Sequence, residues 1–337
     1  MLLNDKKITV IIPTYNKFDC IKYLLENSIT KYTGDLFLFE IHDSGDDERV
    51  KEIVDRYAEN HPLRYYHYPT SVNGDVKTMT AISNAQSEYI YLLGDGIVPD
   101  FNQLEKFLIA CDYEKYIVIG VRAAKDFKSK IRKAVLGRNQ INEPKVFDDK
   151  IKFCNRCFWI LTLYGASIVR KNLLFSNNNY LQYLKMESPF MYVCSLFESL
   201  LQEENGKYIF SFVDFIKSNP YKIDSGWMQS RQAIEFFCYR YYISVSNLSK
   251  YSNLLCKEFL FSHNKFSGLF SIKSILKMRA TGNLTASILK KYKVYYKKTV
   301  PFGKRILTRC SLFIPQKVLN KLYKKYKSNK LKSLKEQ

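Results

Sequence analysis

Three short polar clusters each follow directly on an apolar run: Pro13-Thr14-Tyr15-Asn16, Asp43-Ser44-Gly45-Asp46-Asp47 and Gly94-Asp95-Gly96. Carboxylates, hydroxyls and flexible backbone gathered at one rim outline a site for a nucleoside diphosphate, because a carboxylate accepts hydrogen bonds from a base or ribose. Asp43 has the position for that role, the alternative being an Asx turn or a helix cap. Asp46 and Asp47 already suit the capping task, which favours a binding role for Asp43. A carboxylate beside a diphosphate repels it unless a divalent cation intervenes. Asp95, on a glycine-flanked turn, therefore reads as a ligand for such a cation, against the plainer reading of a tight turn.

Such residues converge only if the runs before them are neighbouring strands. Ile8 to Ile12 is a β-branched run ending at Pro13, the pattern of a strand buried on both faces, and Cys20 to Ser28 follows as a helix. The same alternation continues with strands at 37–42, 65–68, 89–93 and 116–121 and helices at 46–59, 74–84 and 102–110. Short connections between alternating elements predict an α/β fold with a doubly wound, mostly parallel sheet, whose ligands bind beyond the carboxyl ends of the strands. From Ala124 to Asp149 the chain turns polar and basic, and 158–169 suits a buried helix or a buried strand equally. Residues 229–263 read as helical and aromatic-rich. A basic helical tail follows from Phe270, broken at Pro301 and Pro315. The expected organisation is a domain over 1–228, with a nucleotide-binding half to 124 and an acceptor half after it, and a helical region over 229–337.

The run Ile8 to Asn16, the segment Glu40 to Asp47 and the strand-plus-turn Tyr89 to Pro99 together resemble glycosyltransferase family 2, whose members have the GT-A fold. The version around Asp95 is similar to that of abequosyltransferase-like enzymes of capsule and O-antigen synthesis. The likeness covers about residues 7–121 and fades beyond. It implies inverting transfer of a sugar from a nucleotide donor to a hydroxyl, with the diphosphate held by a divalent metal. By position, Pro13, Thr14, Tyr15 and Asn16 would line the nucleoside, Asp43 would contact base or ribose, Gly94 would join the donor site, and Asp95 would ligate Mn²⁺ or Mg²⁺. Asn73, Gly74 and Lys77 fall near the donor, and Lys77 has the reach for phosphate or sugar. The family motif has two or three acids where this chain has only Asp95; Asp100 or a cationic side chain would then have to supply the rest.

Inversion also needs a general base to take the acceptor's proton. Segment Gly165 to Arg170 resembles the one preceding that base in the family. Glu187, ahead of Ser188-Pro189, is the nearest fit, with Glu198 and Asp214 as rivals and a plain helix N-terminus as the alternative. Trp227 would stack an acceptor sugar, or simply be a partly buried core residue.

The chain of 337 residues carries a formal charge of +21, and 46% of it is apolar, which excludes a disordered polyelectrolyte. Between Lys290 and Gln337 sixteen Lys and Arg face one acid, Glu336. Lysines interleaved with Leu and Tyr there describe a helix lying on an anionic lipid surface, against a solvated tail or a nucleic-acid contact. No recognition helix, RNA-binding aromatic signature or zinc module accompanies the basic run, so nucleic acid is disfavoured. A lipid-linked saccharide acceptor would keep such an enzyme at the membrane. With no secretory signal and no apolar stretch of spanning length, the expected place is the cytoplasm, peripheral to the inner face of the cell membrane. The eight scattered cysteines, including the lone pair Cys154 and Cys157, read as buried or reduced thiols rather than a metal or redox site. Two other readings compete: a non-catalytic protein of the same fold partnering another transferase, and a basic membrane- or nucleic-acid-binding module.

Overall fold

The computed structural model describes residues 6–127, 129–137, 143–175, 191–222, 233–247, 260–261, 263–266 and 268–335. They form two compact units, Met1–Ile223 and Asp224–Gln337.

The first unit is built on an eight-stranded mixed sheet. In chain order its strands are β1 (Ile8–Thr14), β2 (Phe37–Asp43), β3 (Leu63–His67) and β4 (Tyr89–Leu92), then β6 (Val118–Ala123), β7 (Lys145–Phe147), β8 (Ser167–Arg170) and β9 (Tyr208–Val213). Their spatial order is β3-β2-β1-β4-β8-β6-β9-β7. β1 lies parallel between β2 and β4, with Thr14 opposite Asp43. A separate two-stranded ribbon pairs β5 (Ile97–Pro99) with β10 (Ile216–Ser218) in antiparallel fashion. Ile8, Val10, Ile11 and Ile12 are all fully buried, as expected of a strand covered on both faces. The covering helices do this with one apolar face each: Cys20, Ile21, Leu24 and Leu25 on α1 (Phe18–Asn27), Val50, Ile53 and Val54 on α2 (Arg49–Ala58), and Phe101, Leu104 and Leu108 on α4 (Phe101–Ala110). Each fully buried large apolar side chain contributes about 1.5–3 kcal/mol, so this core dominates the unit's stability.

The sheet is less uniformly parallel than strand–helix alternation suggests. β8 runs antiparallel to both β4 and β6, and β7, inside the polar stretch after Ala124, is an antiparallel edge on β9. The undecided segment 158–169 is both things in turn: α5 (Lys150–Leu161) ends, the chain reverses, and β8 begins at Ser167. Gly165 makes that reversal possible. Its φ is +75°, and a Cβ there would sit 2.8 Å from Ile97 Cδ1.

The second unit is helical, and its core gathers Ala233, Ile234, Cys238, Leu269, Phe270, Ile275, Met278, Leu284, Tyr296 and Val300. Pro301 precedes a helix over Phe302–Cys310, and Pro315 precedes the last one, Gln316–Lys335. Proline breaks the preceding helix and suits the start of the next. The last helix packs on Ile272–Ala280, with Leu319 buried and the Tyr323 and Tyr326 rings covered by Lys277 and Lys273 at 5.6 and 5.3 Å. Part of its apolar side therefore faces its own unit. No helix among the described residues is long and apolar enough to cross a membrane.

Candidate functional site

Because β1, β2 and β4 are parallel neighbours, their carboxyl ends deliver the three polar clusters to one rim. Thr14 closes β1, and Asn16 follows with φ +51°, a left-handed turn that Asn tolerates. Asp43 closes β2 and is fully buried. Its Oδ1 accepts from the Gly45 amide at 2.8 Å, and its Oδ2 from the Tyr65 hydroxyl at 3.3 Å. The Asx turn admitted by the sequence is thus present, and it orients the carboxylate. Asp47 accepts from the Arg49 amide at 3.1 Å, at the start of α2.

Asp95 sits in the turn between β4 and β5. Its Oδ2 accepts from the Thr14 hydroxyl at 3.3 Å. Burial holds its carboxyl above the ordinary carboxylate pKa, while Lys17, Lys222, Thr14 and Lys77 pull it back down. Asn219, just after β10, secures this turn. Its side-chain amide donates to the Cys20 carbonyl at 2.9 Å and the Asp95 carbonyl at 3.1 Å, and its own amide donates to the Gly96 carbonyl at 3.0 Å. Lys222 then lays its stem across Gly96, where a Cβ would meet Lys222 Cδ at 2.2 Å, so any larger residue would push the lysine aside. Although Lys222 keeps solvent contact, burial and the charge of Arg122 lower its pKa, and Asp95 opposes that shift.

Lys77, from α3 (Gly74–Asn84), comes up beneath the rim. Its ammonium donates to the Thr14 carbonyl at 2.8 Å and the Ser44 hydroxyl at 2.7 Å, tying the β1 loop to the β2 loop. It is buried, and desolvation lowers its pKa to about 8 against the pull of Asp43 and Asp95. Asn73 caps α3, its side chain accepting from the Asp75 amide at 2.8 Å. Asp100 caps α4 in the same way, through the Gln103 amide at 3.1 Å. At the end of β6, buried Arg122 donates to the Tyr164 carbonyl at 3.0 Å and approaches Asp126 at 3.9 Å.

Thr14, Asp43, Lys77 and Asp95 are therefore linked through direct contacts and shared electrostatics, with Pro13, Tyr15, Asn16 and Gly94 in the same loops. Lys17, Tyr65, Arg122, Asn219 and Lys222 join them without having been singled out in sequence, and Ser44 joins from the second polar cluster. Lys17 and Arg122 were findable, since Lys17 follows the first polar cluster directly and Arg122 follows the strand expected over 116–121. Asn219 and Lys222 were not, as their contacts span more than a hundred residues. Glu187 and Trp227 lie outside the described residues. Glu198 is buried in the helix Met191–Gln202, and Asp214 is exposed between β9 and β10.

No group of three His, Cys, Asp or Glu side chains able to hold a metal occurs among the described residues. Asp95 is the one acid at its turn, with lysines facing it. A cation held there would take a single protein carboxylate and complete its shell with phosphate oxygens and water, a pattern that suits Mg²⁺. Cys154 and Cys157 are buried thiols on α5, and burial raises both pKa values.

Residues 9–164 match the model of glycosyl transferase family 2. No curated protein matches the chain in sequence. Among solved structures, S. aureus TarS 1–349 is similar over 95% of this chain and 91% of its own, with 15% identity and a TM-score of 0.53. The same TarS fragment in complex with UDP-GlcNAc is similar with 12% identity and a TM-score of 0.50, over 95% of this chain and 92% of that one. A longer TarS structure matches 91% of this chain and 54% of its own length, with 14% identity and a TM-score of 0.53. At such identities the likeness establishes a shared GT-A fold.

Proposed function

We propose that this glycosyltransferase, whose residues 9–164 form a family 2 domain, moves a sugar with inversion from a nucleoside diphosphate to a hydroxyl of a lipid-linked saccharide. The finer placement, an abequosyltransferase-like enzyme of surface-polysaccharide synthesis peripheral to the membrane, is part of the same reading. One observation carries it: Asp43, Lys77 and Asp95 meet at the ends of three adjacent parallel strands, among cations that suit a diphosphate.

In this reading Asp43, held by Gly45 and Tyr65, presents its carboxylate to base or ribose, and the β1 loop from Pro13 to Asn16 walls the nucleoside. Asp95 is the side chain that would hold a divalent cation, which would add positive charge against the leaving diphosphate. Lys222 and Lys17 face the same turn and offset the charge that develops as the anomeric bond breaks. Lys77 keeps the two nucleotide loops in register. The acceptor hydroxyl attacks from the opposite side and loses its proton to a carboxylate, for which Glu187 remains the candidate and Glu198 and Asp214 the rivals. Trp227 is the candidate acceptor platform.

Calorimetric titration with uridine, guanosine, cytidine and deoxythymidine diphosphates, with and without Mn²⁺, tests the reading on wild type and Asp43→Ala. One nucleotide should bind, and more weakly to the variant. Absence of binding by all of them would remove the donor site and with it the transferase reading.

A further inference from the structure

Two exposed helix faces in the C-terminal unit repeat one pattern. On the helix Phe302–Cys310, Phe302 (69% exposed), Arg305, Ile306 and Arg309 recur at spacing i, i+3, i+4 and i+7, with Arg305 lying 5.4 Å over the Phe302 ring. On the helix Gln316–Lys335, Val318, Lys321, Leu322 and Lys325 recur at the same spacing, all exposed, Leu322 to 60%. Between the two helices the turn Ser311–Phe313 puts out Phe313, 88% exposed, followed by Ile314.

This protrusion is built rather than frayed. The buried guanidinium of Arg279 donates to the carbonyls of Ser311 at 3.2 Å, Leu284 at 3.0 Å and Ile314 at 3.0 Å, gripping the turn on both sides of Phe313. The Ser311 hydroxyl adds a bond to the Thr308 carbonyl at 2.6 Å. A charged side chain is thus buried to hold an aromatic ring out in water. A ring held out in this way gains free energy when an apolar phase receives it.

We propose that this band, centred on Phe313, docks on a bilayer containing anionic phospholipid. Phe302, Ile306, Phe313, Val318 and Leu322 enter between headgroups, and Arg309, Lys321 and Lys325 pair with lipid phosphates. Charge complementarity selects the partner: from Lys290 to Gln337 the chain has sixteen cations against one acid. Nucleic acid would satisfy the cations but not Ile306, Val318 and Leu322, which have no ring face on which to stack a base. The proposal rests on the peripheral-membrane part of the reading above and not on sugar transfer, since its test contains neither donor nor acceptor.

The test is co-sedimentation of the full chain with phosphatidylcholine vesicles, with and without phosphatidylglycerol. Wild type should bind the anionic vesicles and not the neutral ones. Phe313→Ser with Leu322→Ser should weaken binding by about tenfold or more, with an unchanged unfolding transition, and Phe313→Leu alone should retain it. Lys321→Gln with Lys325→Gln should also weaken binding by roughly tenfold. Wild-type affinity in the apolar double variant, equal binding to neutral vesicles, or displacement from vesicles by a single-stranded oligonucleotide that binds the apolar variant equally well would each overturn the proposal.

Discussion

The two units use positive charge in opposite ways. In the α/β unit the cations near the rim are few and individually placed: Lys77 and Arg122 are buried, and Lys222 is folded over Gly96. In the helical unit they are many, mostly exposed, and interleaved with apolar side chains, Arg279 being the buried exception among the described residues. A buried cation has fixed partners, so it suits one ligand in one pose. Exposed cations act through their summed field, which salt screens. Net charge alone would have assigned both groups the same role.

The largest effect expected lies in the first unit. Asp95→Ala should lower sugar transfer by about a hundredfold or more while circular dichroism and melting show an intact fold. Turnover near wild type would show that the lysines suffice without the carboxylate. Arg279→Met sharpens the contrast from the other side: three carbonyls lose their donor, so the second unit should lose about 3 kcal/mol of stability in denaturant unfolding, with nucleotide binding unchanged. Loss of nucleotide binding as well would mean that the two units are energetically coupled.

Lys77 gives a pH signature with two signs. Its folded pKa, about 8, lies below the ordinary 10.5, so below pH 8 both folded and unfolded chains carry the proton. Between about 8 and 10.5 the unfolded chain holds it and the folded one does not, and this group's contribution to stability therefore rises with pH. Diphosphate binding should move the other way and weaken as the ammonium deprotonates above pH 8. Titrations from neutral to alkaline pH check this, and Lys77→Met should abolish the step and weaken binding by about tenfold. The smallest effect concerns Cys310, exposed beside the proposed lipid face: alkylation of its thiol, read by peptide mass, should slow a few-fold when anionic vesicles are added, whereas buried Cys154 and Cys157 stay unreacted throughout.

Much of the first unit was legible because its signals are local. A short β-branched run such as Ile8–Ile12 ending at a proline favours a strand buried on both faces, and polar residues just past Thr14, Asp43 and Leu92 then lie at strand ends. The segment 158–169 was not legible, because a buried helix and a buried strand share one composition. What separates them is the left-handed turn at Gly165, where a side chain would also meet Ile97 from a different part of the chain. The tail's helical breaks at Pro301 and Pro315 were visible for the local reason that proline lacks the amide. Which face of the last helix would be covered was not, since Leu319 and Val318 are equally apolar and only packing on Ile272–Ala280 distinguishes them.

By itself the sequence determined the alternation of strands and helices, the resemblance to family 2, the carboxylates at the rim and the basic end of the chain. Each of these follows from residue type and near spacing. Only the tertiary structure decided that Lys77 ties the β1 loop to the β2 loop, that Asn219 and Lys222 close over Asp95, and that Arg279 holds Phe313 outward. Those contacts join residues far apart in the chain, and hydrogen-bond geometry between distant side chains leaves no periodic trace in the order of amino acids.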